Sequence, residues 1–195
     1  MHVFGYGSLM WSQGFRYEEK VCGYVKGFKR RFWQGSEDHR GEPGKPGRVL
    51  SVFKSDDPND IVLGVAFKIP EEDEELVRQN LIVRETGYDV IETLFYPIGS
   101  SDTHSAQPIV LELFLANQNT STYLGPASER DIAWQIYHSK GLRGSNLDYF
   151  LRVVSSCKNL FPNNSDRHLE QIEQEVRQIA AEKGDTLDHL IGQMQ

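Results

Sequence analysis

Cysteine is scarce in this chain of 195 residues: Cys22 and Cys157 lie far apart and form no Cys-x-x-Cys pair. That excludes a disulfide-stapled framework and a redox dithiol, and it points to a reduced, intracellular protein. The six histidines are scattered, with no H-x-x-x-H or Cys/His cluster, so no metal site is expected. Positive charge is in deficit, with 21 Lys and Arg against 28 Asp and Glu and a net charge of −7. Such a balance argues against general affinity for nucleic acid or anionic membranes. Long hydrophobic runs are missing too. The apolar Val3–Leu9 run is too short for a signal peptide or a membrane span, and no basic segment precedes it. A soluble cytoplasmic protein is the expectation, and the glycosylation patterns at Asn119 and Asn163 are then inert. Phosphate motifs fail as well: Gly5-x-Gly7 has Met10 where a third glycine would stand, and there is no GxxxxGK[ST]. No cofactor is expected.

What is present reads first as strands. Val21 to Trp33, Arg48 to Phe53, Ile61 to Ile69, Tyr88 to Tyr96 and Ile109 to Leu115 are rich in β-branched and aromatic residues, and Val3 to Tyr6 suit a short buried strand. Turn clusters at 41–47, 55–60 and 99–108 separate several of them. Pro70 followed by five acidic residues predicts a helix start running to about Val83, with Leu76, Val77, Leu81 and Ile82 inward. Beyond about residue 125 the period becomes helical. Ser128 opens an S-x-x-D cap before Ile132, Ala133, Ile136 and Tyr137. Asn146 is placed to cap a helix carrying Leu147, Phe150, Leu151 and Val154 that stops near Pro162, and Leu169, Ile172, Val176 and Ile179 define a third. There is no internal repeat. The expected fold is α+β: a single domain over 1–195, with a small, mostly antiparallel sheet or barrel over about 1–125 and a helical region over about 126–195 packed outside it.

Three stretches can carry chemistry. Gly5 and Gly7 permit positive φ in the turn after Val3 and Phe4, where bare backbone N–H groups suit a carboxylate or an oxyanion; an ordinary strand-to-turn junction reads the same way. Ser8 lacks the flanking pattern of a nucleophile elbow and is better taken as a hydrogen-bonding group. Lys26 to Arg48 holds seven basic residues against three acidic ones, interleaved with Phe28, Phe32 and Trp33. A pocket wall for a small anion, a single-stranded RNA surface and a solvated strand face all fit, and the acidic background favours the small anion over nucleic acid. Glu85 stands between a helix end and a strand, where the helix C-terminus and burial against Val83 and Tyr88 would raise its pKa towards that of a general acid/base; spacing alone favours an Arg84–Glu85 surface pair at the helix end. Asp38-His39-Arg40-Gly41 is either a catalytic pair or an internally bonded turn.

Together these segments resemble the ChaC-type gamma-glutamylcyclotransferase family. The residues that carry the resemblance are Phe4-Gly5-Tyr6-Gly7-Ser8-Leu9, Arg30 to Ser36, Asp38 to Gly41, Lys45 to Arg48, Arg84-Glu85, and Tyr123-Leu124-Gly125-Pro126-Ala127, in the family's order. Each is weak alone; six in order are specific. The chain departs from the family's E-x-G-G-Y by having one glycine in Glu85-Thr86-Gly87-Tyr88.

The resemblance implies a cyclotransferase-like barrel flanked by helices, with glutathione as the small-molecule substrate, cleaved to 5-oxoproline and cysteinylglycine. It makes Glu85 the catalytic residue and Val3, Phe4, Gly5, Tyr6, Gly7, Ser8 and Leu9 the substrate-binding loop. Arg40 or Arg48 is expected to meet the glycyl carboxylate, and the Tyr123 hydroxyl to reach the substrate. No metal, nucleotide or redox group is required, and neither nucleic acid nor membrane is an expected partner. The expected state is a monomer or weak homodimer. The alternatives are a cyclotransferase acting on other γ-glutamyl peptides or amines, and a non-catalytic RNA- or protein-binding module.

Overall fold

The computed structural model describes residues 1–85, 87–98 and 107–187. These form two compact units, each assembled from two stretches of chain. Met1–Arg30 joins Ser51–Thr120, and Arg31–Leu50 joins the chain from Ser121 onward.

The first unit is built on a closed five-stranded barrel of β1 (His2–Gly5), β5 (Ile61–Lys68), β2 (Glu19–Lys26), β6 (Tyr88–Pro97) and β7 (Ile109–Ala116), in that order. Every neighbouring pair is antiparallel except β1 with β7, which closes the barrel in parallel at Val3 and Glu112. The stretch expected as one strand over Val21–Trp33 is two: β2 ends at Lys26 and β3 (Phe28–Ser36) begins after Gly27. Gly27 has a φ of +79°, a left-handed conformation that side chains disfavour, and there the chain turns out of its strand. The turn is fixed by Gly27 N–H donating to Asp60 O at 2.8 Å and Ser55 N–H donating to Gly27 O at 2.9 Å. β3 pairs with β4 (Gly47–Lys54), and the chain changes units inside each of these strands.

The barrel is filled by aromatic rings. Phe4 and Phe95 are fully buried with centroids 5.9 Å apart. Their space exists because Gly23 of β2 and Gly64 of β5 are register partners without side chains. A Cβ on Gly64 would stand 2.5 Å from Phe4 Cζ and 2.6 Å from the Gly5 carbonyl oxygen. On Gly23 it would stand 2.4 Å from Phe95 Cζ and 2.3 Å from the Tyr96 carbonyl oxygen.

A 3-10 turn over Glu71–Asp73 leads into α1 (Glu74–Arg84), and the acidic residues sit in the first turn as the macrodipole favours. The inward face of α1 is Val77 and Leu81. Leu76 and Ile82, expected inside, are 61% and 51% exposed, because the residue pattern L-V-x-x-x-L-I is wider than the face the barrel covers. Residues 99–106 of the expected turn before β7, and Thr86, lie outside the described residues.

The second unit carries α2 (Glu129–His138), a minimal hairpin of β8 (Lys140–Gly141) and β9 (Gly144–Ser145), α3 (Asn146–Leu160) and α4 (Arg167–Glu182). Ser128 caps α2, its hydroxyl oxygen accepting from Asp131 N–H at 3.1 Å. Ser145, not Asn146, caps α3. Asn146 is instead fully buried, accepting from Arg48 N–H at 2.7 Å and donating to Arg48 O at 2.8 Å, so a partner on β4 outcompetes the local cap. Leu169, Ile172, Val176 and Ile179 all face inward from α4. Phe32 is fully buried, its ring 5.4 Å from that of Phe150 on α3, and its N–H donates to His168 Nε2 at 3.1 Å.

On α4, burial opposes the ionisation of Glu173, but hydrogen bonds from Lys158 Nζ (2.8 and 3.0 Å) and Arg177 (2.6 and 3.2 Å) outweigh it and hold the carboxyl below the usual range. A depressed carboxylate contributes stability above its unfolded pKa of about 4.3, and that stability is lost as the pH falls through the lower folded value. Glu173→Gln should therefore cost about 1–2 kcal/mol at pH 7, since charge-assisted bonds are lost, and nothing once the pH is below both values. Urea titrations of the two proteins at a series of pH values measure this; a constant gap down to pH 2 would contradict it. Among the described residues, no helix is long and apolar enough to cross a membrane.

Candidate active site

The site is best built from the point where β1 ends. Val3 and Phe4 are core residues without exposed surface. The Tyr6 hydroxyl is committed to Phe114 O at 2.8 Å. After Gly7 the chain enters a 3-10 turn over Ser8–Met10, whose first bond is Met10 N–H to Gly7 O at 2.9 Å. The N–H groups of Gly7, Ser8 and Leu9 precede that bond, as the first donors of a helical turn do. Neither Gly5 nor Gly7 has a positive φ, contrary to the expectation from sequence. Glycine at position 5 answers a packing need: a Cβ there would stand 2.9 Å from Phe67 Cε2 and 3.1 Å from Leu9 Cβ.

Glu85 is the residue that ends α1. Its N–H closes the last turn on Leu81 O at 2.8 Å, and its own carbonyl accepts from Tyr88 N–H at 3.2 Å as β6 begins. Its side chain is 21% exposed. Burial pushes the Glu85 carboxyl above its ordinary value, and the positive charge of Arg84 opposes that shift. Val83, expected to cover it, is 76% exposed. Tyr88, three residues on, opens β6, its hydroxyl 2.6 Å from Ser51 Oγ.

The surface pair weighed for Arg84 and Glu85 does form, with Nε 3.3 Å from Oε1, but it is a partly buried contact with further connections. The Arg84 guanidinium also donates to Ser8 Oγ at 2.7 Å, to Ser12 O at 3.1 Å and to Gln13 O at 3.2 Å. One side chain thus holds both the turn after β1 and the carboxylate at the end of α1. The Ser8 oxygen accepts from Arg84, which leaves the Ser8 O–H as a donor. From the sequence Arg84 is only a surface partner; its one outward sign is an arginine in the last helical turn beside a carboxylate.

The two remaining expected site residues belong to the second unit. Arg40 Nη1 donates to Arg143 O at 2.8 Å and Ser145 O at 3.1 Å, and its guanidinium lies 5.2 Å from the Tyr149 ring centroid. Asp38 to Arg40 form an internally bonded turn, with Ser36 O–H donating to Asp38 Oδ1 at 3.0 Å and Arg40 N–H to Ser36 Oγ at 3.1 Å. Tyr123 forms an isolated antiparallel bridge with Gln34, flanked by Gly35 N–H to Thr122 O at 2.7 Å and Leu124 N–H to Trp33 O at 2.9 Å. Arg48, the alternative to Arg40, is buried, with Nε on Gln135 Oε1 at 2.7 Å and Nη1 on Phe32 O and Gly125 O at 2.8 and 3.2 Å. Arg30 is buried in the first unit, its Nη1 on Tyr6 O at 3.1 Å. Two cations of the basic segment are therefore internal props rather than parts of a charged surface.

Known proteins resemble the chain along nearly its whole length. Glutathione-specific gamma-glutamylcyclotransferase 1 of Rattus norvegicus is 39% identical over 173 residues, covering 87% of this chain and 75% of that protein. Gamma-glutamylcyclotransferase 2-3 of Arabidopsis thaliana is 38% identical over 188 residues, covering 93% and 91%. A crystal structure of a yeast gamma-glutamyl cyclotransferase specific to glutathione superposes with a TM-score of 0.82 at 25% identity, covering 92% of this chain and 98% of that one. The sequence profile of ChaC-like proteins matches residues 1–179. That span takes in β1 and the turn after it, runs through Glu85 and ends within α4, and the chain belongs to the family of ChaC-like proteins.

Proposed function

We propose that the protein is a gamma-glutamylcyclotransferase that cleaves glutathione to 5-oxoproline and cysteinylglycine, with Glu85 as its acid/base. The observation that carries this reading is a mostly buried carboxylate with a raised pKa, tied through Arg84 to a turn of backbone donors. The names of the relatives at 38–39% identity point to the same chemistry.

The reaction is an intramolecular aminolysis. The α-amine of the γ-glutamyl unit attacks its own γ-carbonyl, a five-membered lactam closes, and the bond to the cysteinyl nitrogen breaks. Nucleophile and electrophile share one molecule, so the protein mainly has to hold the bent conformer. The protons must also balance. The α-ammonium loses one before attack and the attacking nitrogen a second as the ring closes, while the leaving nitrogen gains one as its bond breaks and a second as it departs as an ammonium. Glu85 carries them, taking a proton as carboxylate and returning it as acid. A carboxyl raised towards the working pH is better matched to both tasks than an ordinary glutamate. The oxyanion that develops on the γ-carbonyl needs donors, and the backbone N–H groups of Gly7, Ser8 and Leu9 with the Ser8 hydroxyl are the ones we assign. We take the enzyme to work in the cytoplasm as a monomer or weak homodimer, with no nucleic acid or membrane partner.

Purified protein incubated separately with glutathione and with several γ-glutamyl dipeptides tests the reading. Release of 5-oxoproline from glutathione, with far less from the dipeptides, is the expected result. Equal release from all substrates would replace glutathione with a broader γ-glutamyl range. No release, together with RNA binding that falls steeply with salt, would replace the enzyme with a binding module.

A further inference from the structure

We propose that Arg84 is the positioning residue of this site, a single guanidinium that locks the 8–13 segment and the Glu85 carboxylate into one fixed arrangement. The inference rests on Glu85 being the acid/base. Four acceptors from two parts of the chain converge on Arg84: Ser8 Oγ, Ser12 O, Gln13 O and Glu85 Oε1. Each nitrogen has its own task, with Nη2 on the serine, Nη1 on the two carbonyls and Nε beside the carboxylate. A planar fork with five donors meets that set, whereas the compact ammonium of lysine cannot reach all of it at once.

Two consequences follow for chemistry. The turn donors assigned to the oxyanion follow β1 and the group that moves protons follows α1, elements that lie far apart in the chain, and Arg84 is a direct link between them. Errors of about 1 Å in such a relation cost on the order of 100-fold in rate. Arg84 also supplies the charged neighbour that opposes burial at Glu85, so it sets how far the carboxyl is raised. Its removal should send the Glu85 titration to higher pH. A base that must be ionised then becomes active only at higher pH, and the acidic limb of the rate profile moves the same way.

The experiment compares wild type, Arg84→Gln and Arg84→Lys by two readouts. One is the pH profile of 5-oxoproline formation from glutathione. The other is titration of the Glu85 side-chain carbon by NMR of protein labelled at glutamate, identified by its absence in Glu85→Gln, which needs no substrate. Arg84→Gln should lose about 100-fold in kcat/KM or more, with both the NMR midpoint and the acidic limb displaced upward. Arg84→Lys keeps the charge but not the fork, so it should lose about 10-fold or more in kcat/KM while the limb stays near that of wild type. A role confined to folding would lower the amount of native protein and leave the limb where it was. Folded Arg84→Gln with the wild-type midpoint and wild-type kcat/KM would overturn the proposal. Should Arg84→Gln not fold, Arg84→Lys decides: unchanged kcat/KM in that variant would overturn it equally. If wild type forms no 5-oxoproline but the NMR midpoint rises in Arg84→Gln, the assignment of function fails while the hold of Arg84 on Glu85 stands.

Discussion

Glu85→Gln leaves a folded protein that forms almost no 5-oxoproline, with a loss of about 10²- to 10⁴-fold in kcat. The amide is nearly the shape of the acid, so the α1–β6 junction, which is held by the backbone of residue 85 on Leu81 and Tyr88, is undisturbed. The amide cannot accept the α-ammonium proton or return it to the leaving nitrogen, so both proton movements fall to water. Binding should suffer less than turnover, because the donors of the turn and Ser8 remain. Stability supplies the control, and its sign can be worked out. A carboxyl raised by burial contributes stability that is complete below its unfolded pKa and lost as the pH rises through the folded value. Wild type should therefore weaken relative to Glu85→Gln between acid and neutral pH, in melting curves recorded across that range. The same ionisation should appear as an acidic limb in the rate profile of wild type, placed above the ordinary carboxylate range. Full turnover in a well-folded Glu85→Gln protein would remove the residue from the mechanism.

Gly64→Ala is expected to destabilise the protein by about 3 kcal/mol, the upper end of what overpacking costs. Most core positions absorb one added methyl by small side-chain movements. Here the new Cβ meets the ring of Phe4 at 2.5 Å and the carbonyl oxygen of Gly5 at 2.6 Å, and the second of these is backbone. Gly23→Ala meets Tyr96 O at 2.3 Å and should be at least as costly. Pairing Gly64→Ala with Phe4→Leu should recover part of the loss, since the ring clash is relieved and the carbonyl clash is not. Activity should fall in Gly64→Ala beyond what stability explains, because Gly5 leads directly into the Gly7–Leu9 turn. Urea midpoints for the three variants check the first part, and kcat/KM measured well below the melting range checks the second. A change under about 0.5 kcal/mol for Gly64→Ala would mean that the rings are not packed as described.

The barrel strands were legible because β-branched and aromatic residues recur between clear turn clusters, and β4 to β7 fall within a residue or so of where that pattern puts them. The break at Gly27 was harder to see, since apolar and basic residues continue on both sides and only the glycine marks it. Leu76 and Ile82 mislead for a different reason. A helix shows which residues are apolar, but the width of the surface laid against it decides which of them are covered. Asn146 shows the same limit at one residue: a good capping side chain next to another good one, with the choice made by a partner on β4, 98 positions earlier in the chain.

Within the site, Glu85 could be singled out from its place between helix and strand, and its raised pKa was expected. Of the causes expected, burial is the one that raises it, although Val83 is exposed. Gly5 was legible as a position needing glycine but not for the right reason, because close packing against Phe67 is invisible in a linear pattern. Arg84 could be read only as a partner of Glu85, since Ser8 lies 76 residues away.

The division of each unit between two stretches of chain also sets an order of events during synthesis. All of the barrel unit has been made by residue 120, but the 31–50 stretch belongs with helices that are made last. Phe32 must wait 136 residues for His168, on the order of 10 s at ordinary rates of translation. Through that interval the segment that carries Phe32, Trp33, Val49 and Leu50 is tethered at both ends to chain already made, with none of its eventual helical cover available. A ribosome that stalls beyond the barrel would release a chain whose β3–β4 stretch has no helices to pack on, and helices α2 to α4 are thus what separates a finished protein from an aggregation-prone fragment.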